Sequence, residues 1–191
     1  MNRRPALSAL PVLAALLGAL LLLAGCASSP RGGAETLPSA APEAAGEIFS
    51  PLDGAVSAPA ASGTLIDGTR VDLADLWAER VLIVQFTATW CSSCKAAEPM
   101  LRDTVEEYGD AVLLVHIALD EPVDEVRAFL DENRTTGPVL VDGSGALWRD
   151  YAVSEPPMTA VIDTAGGIVR MWPGGAGGDE LRAALDRVVR R

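Results

Sequence analysis

Two cysteines three positions apart, Cys91 and Cys94, lie in Trp90-Cys91-Ser92-Ser93-Cys94-Lys95. Thiols at this spacing, presented by a strand to the start of a helix, can pass reversibly between dithiol and disulfide. The first then sits at the helix N-terminus, where unpaired N–H groups and the macrodipole favour a thiolate. The second lies one turn further in, within reach of a mixed disulfide. The chemistry is thiolate attack on a disulfide sulfur, then resolution by the partner thiol. Cys91 is expected to be the exposed nucleophile and Cys94 the more buried resolving thiol, with Trp90 covering one side of the pair.

The flanking sequence supplies the required elements. Val81 to Phe86 is apolar throughout and predicts a buried strand directly before the motif. Ala97, Leu101, Val105 and Tyr108 follow at spacings of three and four, so the next helix buries one face, with a kink expected at Pro99. Asp67-Gly68 between two β-prone runs signals a hairpin. Ala111 to Leu119 has the apolar character of a central strand covered on both faces. Asp120-Glu121-Pro122 then opens a helix with Val126, Phe129 and Leu130 inward, and Val139 to Val141 is a short strand. Thr159 to Ile162 and Ile168 to Trp172 flank a turn, and Leu181, Ala184, Leu185 and Val188 mark a closing helix. The order βαβαβ followed by ββα predicts an α/β domain of three layers around a mixed sheet.

The N-terminus reads as an address. Arg3 and Arg4 precede an apolar stretch from Ala6 to Ala24, and Leu23-Ala24-Gly25-Cys26 follows. This resembles a bacterial lipoprotein signal, which implies cleavage before Cys26 and lipid on that cysteine. An uncleaved membrane helix is the alternative for the same residues. Both place the rest of the chain outside the cytoplasmic membrane and tethered to it. The expected division is 1–25 signal peptide, 26–49 flexible tether rich in Ala, Pro, Ser, Gly and Glu, and 50–191 globular domain. About twenty free residues of that kind span on the order of 25 Å on average.

Net charge is −11, and without Arg3 and Arg4 the part from Cys26 onward carries 13 basic against 26 acidic groups. That balance argues against nucleic-acid partners. A zinc site needs more ligands than Cys91 and Cys94, and His116 lies inside an apolar strand, where a packed core or edge role is expected. Trp77, Trp148 and Trp172 are expected to be packing residues.

Beyond single motifs, the chain from about Ser50 to Arg191 resembles the membrane-anchored, extracytoplasmic thioredoxin-like proteins of the TlpA/ResA type. Phe86-Thr87-Ala88-Thr89-Trp90-Cys91 resembles their Phe-Trp-Ala-Thr-Trp-Cys segment, and Gly68 to Leu76 their opening turn. Pro99 lies five residues after the second cysteine, where the fold's helix proline belongs, and Ala111 to Pro138 resembles the family's inserted strand–helix unit. Tyr151-Ala152-Val153, Pro157 and Val161-Ile162-Asp163 resemble the segment around its cis-proline. Pro157 matches better than Pro156, lying six residues after Tyr151 and six before Asp163.

The resemblance implies a thioredoxin fold, a Cys91/Cys94 dithiol, a substrate groove at Pro156, Pro157 and Met158, and no cofactor. It also implies a membrane dithiol carrier as electron donor, and disulfides of exported proteins, apocytochromes among them, as substrates. A monomer satisfies all of this. Three departures stand out. Gln85 occupies the place of the family's buried acid, so Cys94 needs another proton acceptor; Glu98 is the candidate, against an exposed helix carboxylate as the plainer reading. Ser92-Ser93 replaces a Pro-containing pair, with no His between the cysteines, which leans toward a reductant. Pro156 offers no backbone N–H to a bound substrate. A non-catalytic binding module of the same fold and a peroxiredoxin-like antioxidant remain alternatives, although Thr87 and Trp90 fit the latter's Thr-x-x-Cys pattern poorly.

Overall fold

The computed structural model describes residues 31–40, 42 and 49–189. The apolar stretch from Ala6 to Ala24, and Cys26, lie outside them. Among the described residues no helix is long and apolar enough to cross a membrane.

Eight strands form one mixed sheet. They are β1 (Val56–Ser57), β2 (Ser62–Leu65), β3 (Arg70–Asp72), β4 (Val81–Thr87), β5 (Val112–Leu119), β6 (Val139–Asp142), β7 (Met158–Ile162) and β8 (Gly167–Pro173), in the spatial order β1-β8-β7-β4-β5-β6-β2-β3. Only β4, β5 and β6 run parallel; every other pairing is antiparallel. The helices are α1 (Leu73–Trp77), α2 (Ser92–Tyr108), α3 (Val123–Asn133), α4 (Ala146–Asp150) and α5 (Gly178–Leu185).

Strand β4 is buried along its whole length because both faces are covered. Leu82, Val84 and Phe86 face one layer, where they pack with Trp77 of α1 and Leu147 and Trp148 of α4. Val81 and Ile83 face the other, with Leu101 of α2 and Leu181 and Leu185 of α5. Alternation along one strand thus builds two cores, giving three layers. A third cluster joins Cys91 and Cys94 to Ala118 of β5 and to Val126, Phe129 and Leu130 of α3. The inserted unit, β5 plus α3, therefore walls the dithiol.

The two short helices α1 and α4 carry too few turns to show helical periodicity, and they go beyond the element order read from sequence. A larger difference concerns the segment expected to be a free tether. Residues 31–40 lie against the domain: Gly32 and Gly33 are buried, and the carbonyl of Gly32 accepts the Val139 N–H at 2.8 Å. The composition of the segment is linker-like, but two adjacent glycines allow a backbone approach that composition does not register.

Candidate active site

The motif is placed by the C-terminal end of β4. The Cys91 N–H donates to Ala88 O at 3.1 Å, which turns the chain out of the sheet. Cys91 is the N-cap of α2 with extended backbone, and its sulfur accepts the Cys94 N–H at 3.0 Å. A helix N-terminal N–H aimed at the sulfur, with the macrodipole behind it, favours negative charge there. The two cysteines form a disulfide with Cα atoms 5.3 Å apart.

Cys91 is 4% exposed and Cys94 0%. The expectation of an openly exposed nucleophile is thereby corrected. Cys91 remains the more accessible of the two, but in the disulfide its side chain turns inward onto the apolar cluster with Ala88 and Ala118. Trp90 stands out of the surface at 65% exposure.

The segment before the motif is held from across the sheet. Thr89 donates its backbone N–H to Glu121 Oε2 at 2.9 Å and its hydroxyl to Oε1 at 2.6 Å. Glu121 follows the end of β5, so the parallel pair β4–β5 brings both loops together. This anchor was not legible in sequence, where Glu121 serves only as part of a helix start. Glu121→Gln weakens two charge-assisted hydrogen bonds, each worth about 1.5–3 kcal/mol. The expected outcome is a melting temperature lower by several degrees, at roughly 3 °C per kcal/mol for a domain of this size, together with slower insulin reduction. An unchanged melt and rate would show that Glu121 does not hold the loop.

The peptide bond between Pro156 and Pro157 is cis. Met158 pairs with Phe86, so this loop lies beside the end of β4 and hence beside the motif. Pro157 is buried and Pro156 half-buried. Met158 is buried among Phe86 and Tyr151 and also lines a cleft of 490 Å³ with Val153, Glu155, Met171 and Pro173.

Beneath α2 lies a polar layer. Glu98 is 2% exposed, and its Oε1 is 3.1 Å from Nε2 of His116, which is 0% exposed. The plainer reading of Glu98 as an exposed helix carboxylate is overturned, and His116 has a partner that its own strand did not reveal. The signal was present: Cys94, Glu98 and Leu101 share one face of α2 at spacings of four and three. Gln85 sits opposite His116 on one side and Thr159 on the other. Its Oε1 accepts the Thr159 hydroxyl at 2.6 Å, so the amide oxygen is already engaged. Burial pushes the Glu98 carboxyl up, but the charge and hydrogen bond of His116, with smaller help from Thr135 and the charge of Arg102, together hold it below the ordinary value.

A dithiol at a helix N-cap, a cis-proline loop beside it and a βαβαβ-ββα sheet define a thioredoxin-like thiol–disulfide oxidoreductase. The family model described as the AhpC/TSA family matches residues 55–171, and the chain belongs to that family. The thioredoxin-like protein YneN of Bacillus subtilis is 31% identical over 132 residues, covering 68% of this chain and 76% of its own. The thiol-disulfide oxidoreductase ResA of Oceanobacillus iheyensis is 33% identical over 125 residues, 65% of each chain. Among solved structures, the exposed lipoprotein thioredoxin of Streptococcus pneumoniae superposes with a TM-score of 0.59 at 26% identity, covering 68% of this chain and 99% of its own. Cys91 and Cys94 form the redox-active pair.

Proposed function

We propose that this protein reduces disulfides in exported proteins on the outer side of a bacterial membrane, apocytochromes before haem attachment among them. A membrane dithiol carrier resupplies the electrons, and lipid on Cys26 anchors the chain. The division 1–25 signal, 26–49 anchor segment and 50–191 catalytic domain belongs to this reading. The likeness to an exposed lipoprotein thioredoxin supports the location. The observation that carries the chemistry is the Cys94 N–H directed at the Cys91 sulfur at the N-cap of α2.

In the reducing direction Cys91 thiolate attacks a substrate disulfide, forming the mixed disulfide and releasing one substrate thiolate. Cys94 then loses its proton, attacks the Cys91 sulfur and releases the second. Glu98, one turn beyond Cys94 on the same face of α2, takes that proton with His116. The pair replaces the acid that Gln85 cannot supply. An extended substrate strand lies against the Pro156–Pro157 loop with Trp90 opposite, and Met158 supports the loop from the core.

Pro156 has no N–H to offer that strand. Pro156→Val restores one backbone donor, worth about 1 kcal/mol, or roughly five-fold in kcat/KM toward a peptide disulfide. An unaltered kcat/KM would remove this loop from substrate binding.

Equilibration of the Cys91–Cys94 couple against glutathione or dithiothreitol tests the direction. A potential near or below about −250 mV, close to thioredoxin, makes the protein a reductant. A potential near or above about −150 mV, toward the strong oxidants, makes it a disulfide donor and overturns the direction. Insulin reduction no faster than background would leave only a binding module.

A further inference from the structure

Gln85 is 0% exposed, and its Nε2 has no hydrogen-bond partner among the described residues. A buried amide donor left unpaired is destabilising, and an apolar side chain would avoid that penalty. What Gln85 contributes is its oxygen. Oε1 accepts the Thr159 hydroxyl at 2.6 Å, and Thr159 is itself buried. The Thr159 oxygen in turn accepts the Ala176 N–H at 3.2 Å. A hydroxyl accepts and donates at once, so Thr159 takes one bond from Ala176 and gives one to Gln85.

The loop beside the dithiol needs such a hold. The β4–β7 ladder ends at the pair Phe86 and Met158, and the β7–β8 ladder at Met158 and Pro173. Pro156 and Pro157 lie beyond both ends and have no N–H to extend either ladder. Residues 174–176, between β8 and α5, take over. The Gly174 N–H donates to the Pro157 carbonyl at 2.9 Å. Gly174 and Gly175 have φ of +87° and +89°, a region that favours glycine. A Cβ on Gly175 would meet Pro157 Cγ at 3.2 Å. The turn is therefore bonded to the residues on both sides of Met158, and Thr159 passes the link to Gln85. Gln85 lies opposite Thr159 on β4, the strand whose end delivers Cys91.

We propose that Gln85, Thr159 and the turn at residues 174–176 are positioning residues, a clasp that sets the Pro156–Pro157 loop at a fixed separation from Cys91 and so holds a peptide disulfide in line for attack. This rests on the reading of that loop as the surface on which a substrate strand lies. Glutamine suits the task because it accepts a hydrogen bond without ionising, so the clasp does not loosen as pH changes. A disulfide with no peptide backbone makes no use of the loop and gains nothing from the clasp.

The test compares two disulfides reacting with the reduced full chain in detergent: a peptide bridged by two cysteines, and hydroxyethyl disulfide. Single-turnover oxidation is followed by tryptophan fluorescence, well below the melting temperature of each variant. Each second-order rate constant is divided by that of dithiothreitol with the same disulfide, and the ratio of the two quotients is the peptide preference. Wild type should favour the peptide. Thr159→Val should lower that preference about ten-fold, because misplacement by about 1 Å costs as much as roughly a hundred-fold. Thr159→Ser keeps the hydroxyl and should restore it. Gly175→Ala crowds Pro157 from outside the polar layer and should lower the preference in the same direction. Thr159→Val and Gln85→Leu break one hydrogen bond, so the double variant should be no worse than the worse single variant.

A wild type without peptide preference defeats the reading of the loop as a substrate surface, and the clasp with it. A wild type with that preference, kept in full by Thr159→Val, overturns the clasp alone. Thr159→Ser protein as poor as Thr159→Val also overturns it, by assigning the effect to packing. So do additive losses in Thr159→Val and Gln85→Leu, since two residues joined by one hydrogen bond do not act independently.

Discussion

Cys94→Ser protein should accumulate as a covalent mixed disulfide with its substrate, while Cys91→Ser protein forms none and reduces insulin at the background rate. The asymmetry follows from the helix start. Only Cys91 occupies the N-cap, where its sulfur accepts the Cys94 N–H and where the helix favours a thiolate. Cys94 is fully buried and meets a disulfide only after Cys91 has brought one to it. Each replacement should lower turnover by about 10³-fold or more, and the double replacement should be no worse than Cys91→Ser, since residues acting as one unit are not additive. Non-reducing electrophoresis with a peptide or protein disulfide reads the trapped adduct. An adduct on Cys91→Ser and none on Cys94→Ser would reverse the two roles.

The placement of the pair at a helix start was legible in sequence because it depends on neighbours in the chain. A strand, a Cys-x-x-Cys pair and a helix stripe are local patterns, and the element order around them predicts a three-layer α/β domain, which the resemblance narrows to the thioredoxin fold. Pro157, chosen by its spacing from Tyr151 and Asp163, is the residue whose preceding bond is cis. The features that escaped notice are those made by residues far apart in the chain. Glu98 and His116 are 18 positions apart and meet only when β5 is laid beside β4 under α2. Glu121 and Thr89 are 32 apart and join two loops through the same strand pairing. The docked segment escaped for another reason. Ala, Ser, Pro and Gly have little to bury, and what holds residues 31–40 is backbone hydrogen bonding and close approach at Gly32 and Gly33.

Truncating Glu98 should be the most destabilising change available next to the dithiol. Glu98→Ala leaves His116 buried opposite nothing, and breaking a buried pair from one side costs about 3–5 kcal/mol. That is a large share of the roughly 5–15 kcal/mol that keeps a domain folded. Replacing both partners together, Glu98→Leu with His116→Leu, should cost far less, because no polar group is then stranded. The pH dependence has a definite sign. The folded-state value of Glu98 is depressed below its ordinary 4.5. Its stabilising contribution is therefore complete above that ordinary value and lost as pH falls through the folded value. Wild type should weaken on acidification over this range, and Glu98→Gln should flatten that limb.

The proton role separates from the structural one in kinetics. If Glu98 and His116 receive the Cys94 proton, Glu98→Gln shifts the rising limb of the pH–rate profile to higher pH, and Glu98→Asp partly restores it. A lower melting temperature with an unshifted profile would leave the pair as a structural element alone and send the Cys94 proton elsewhere.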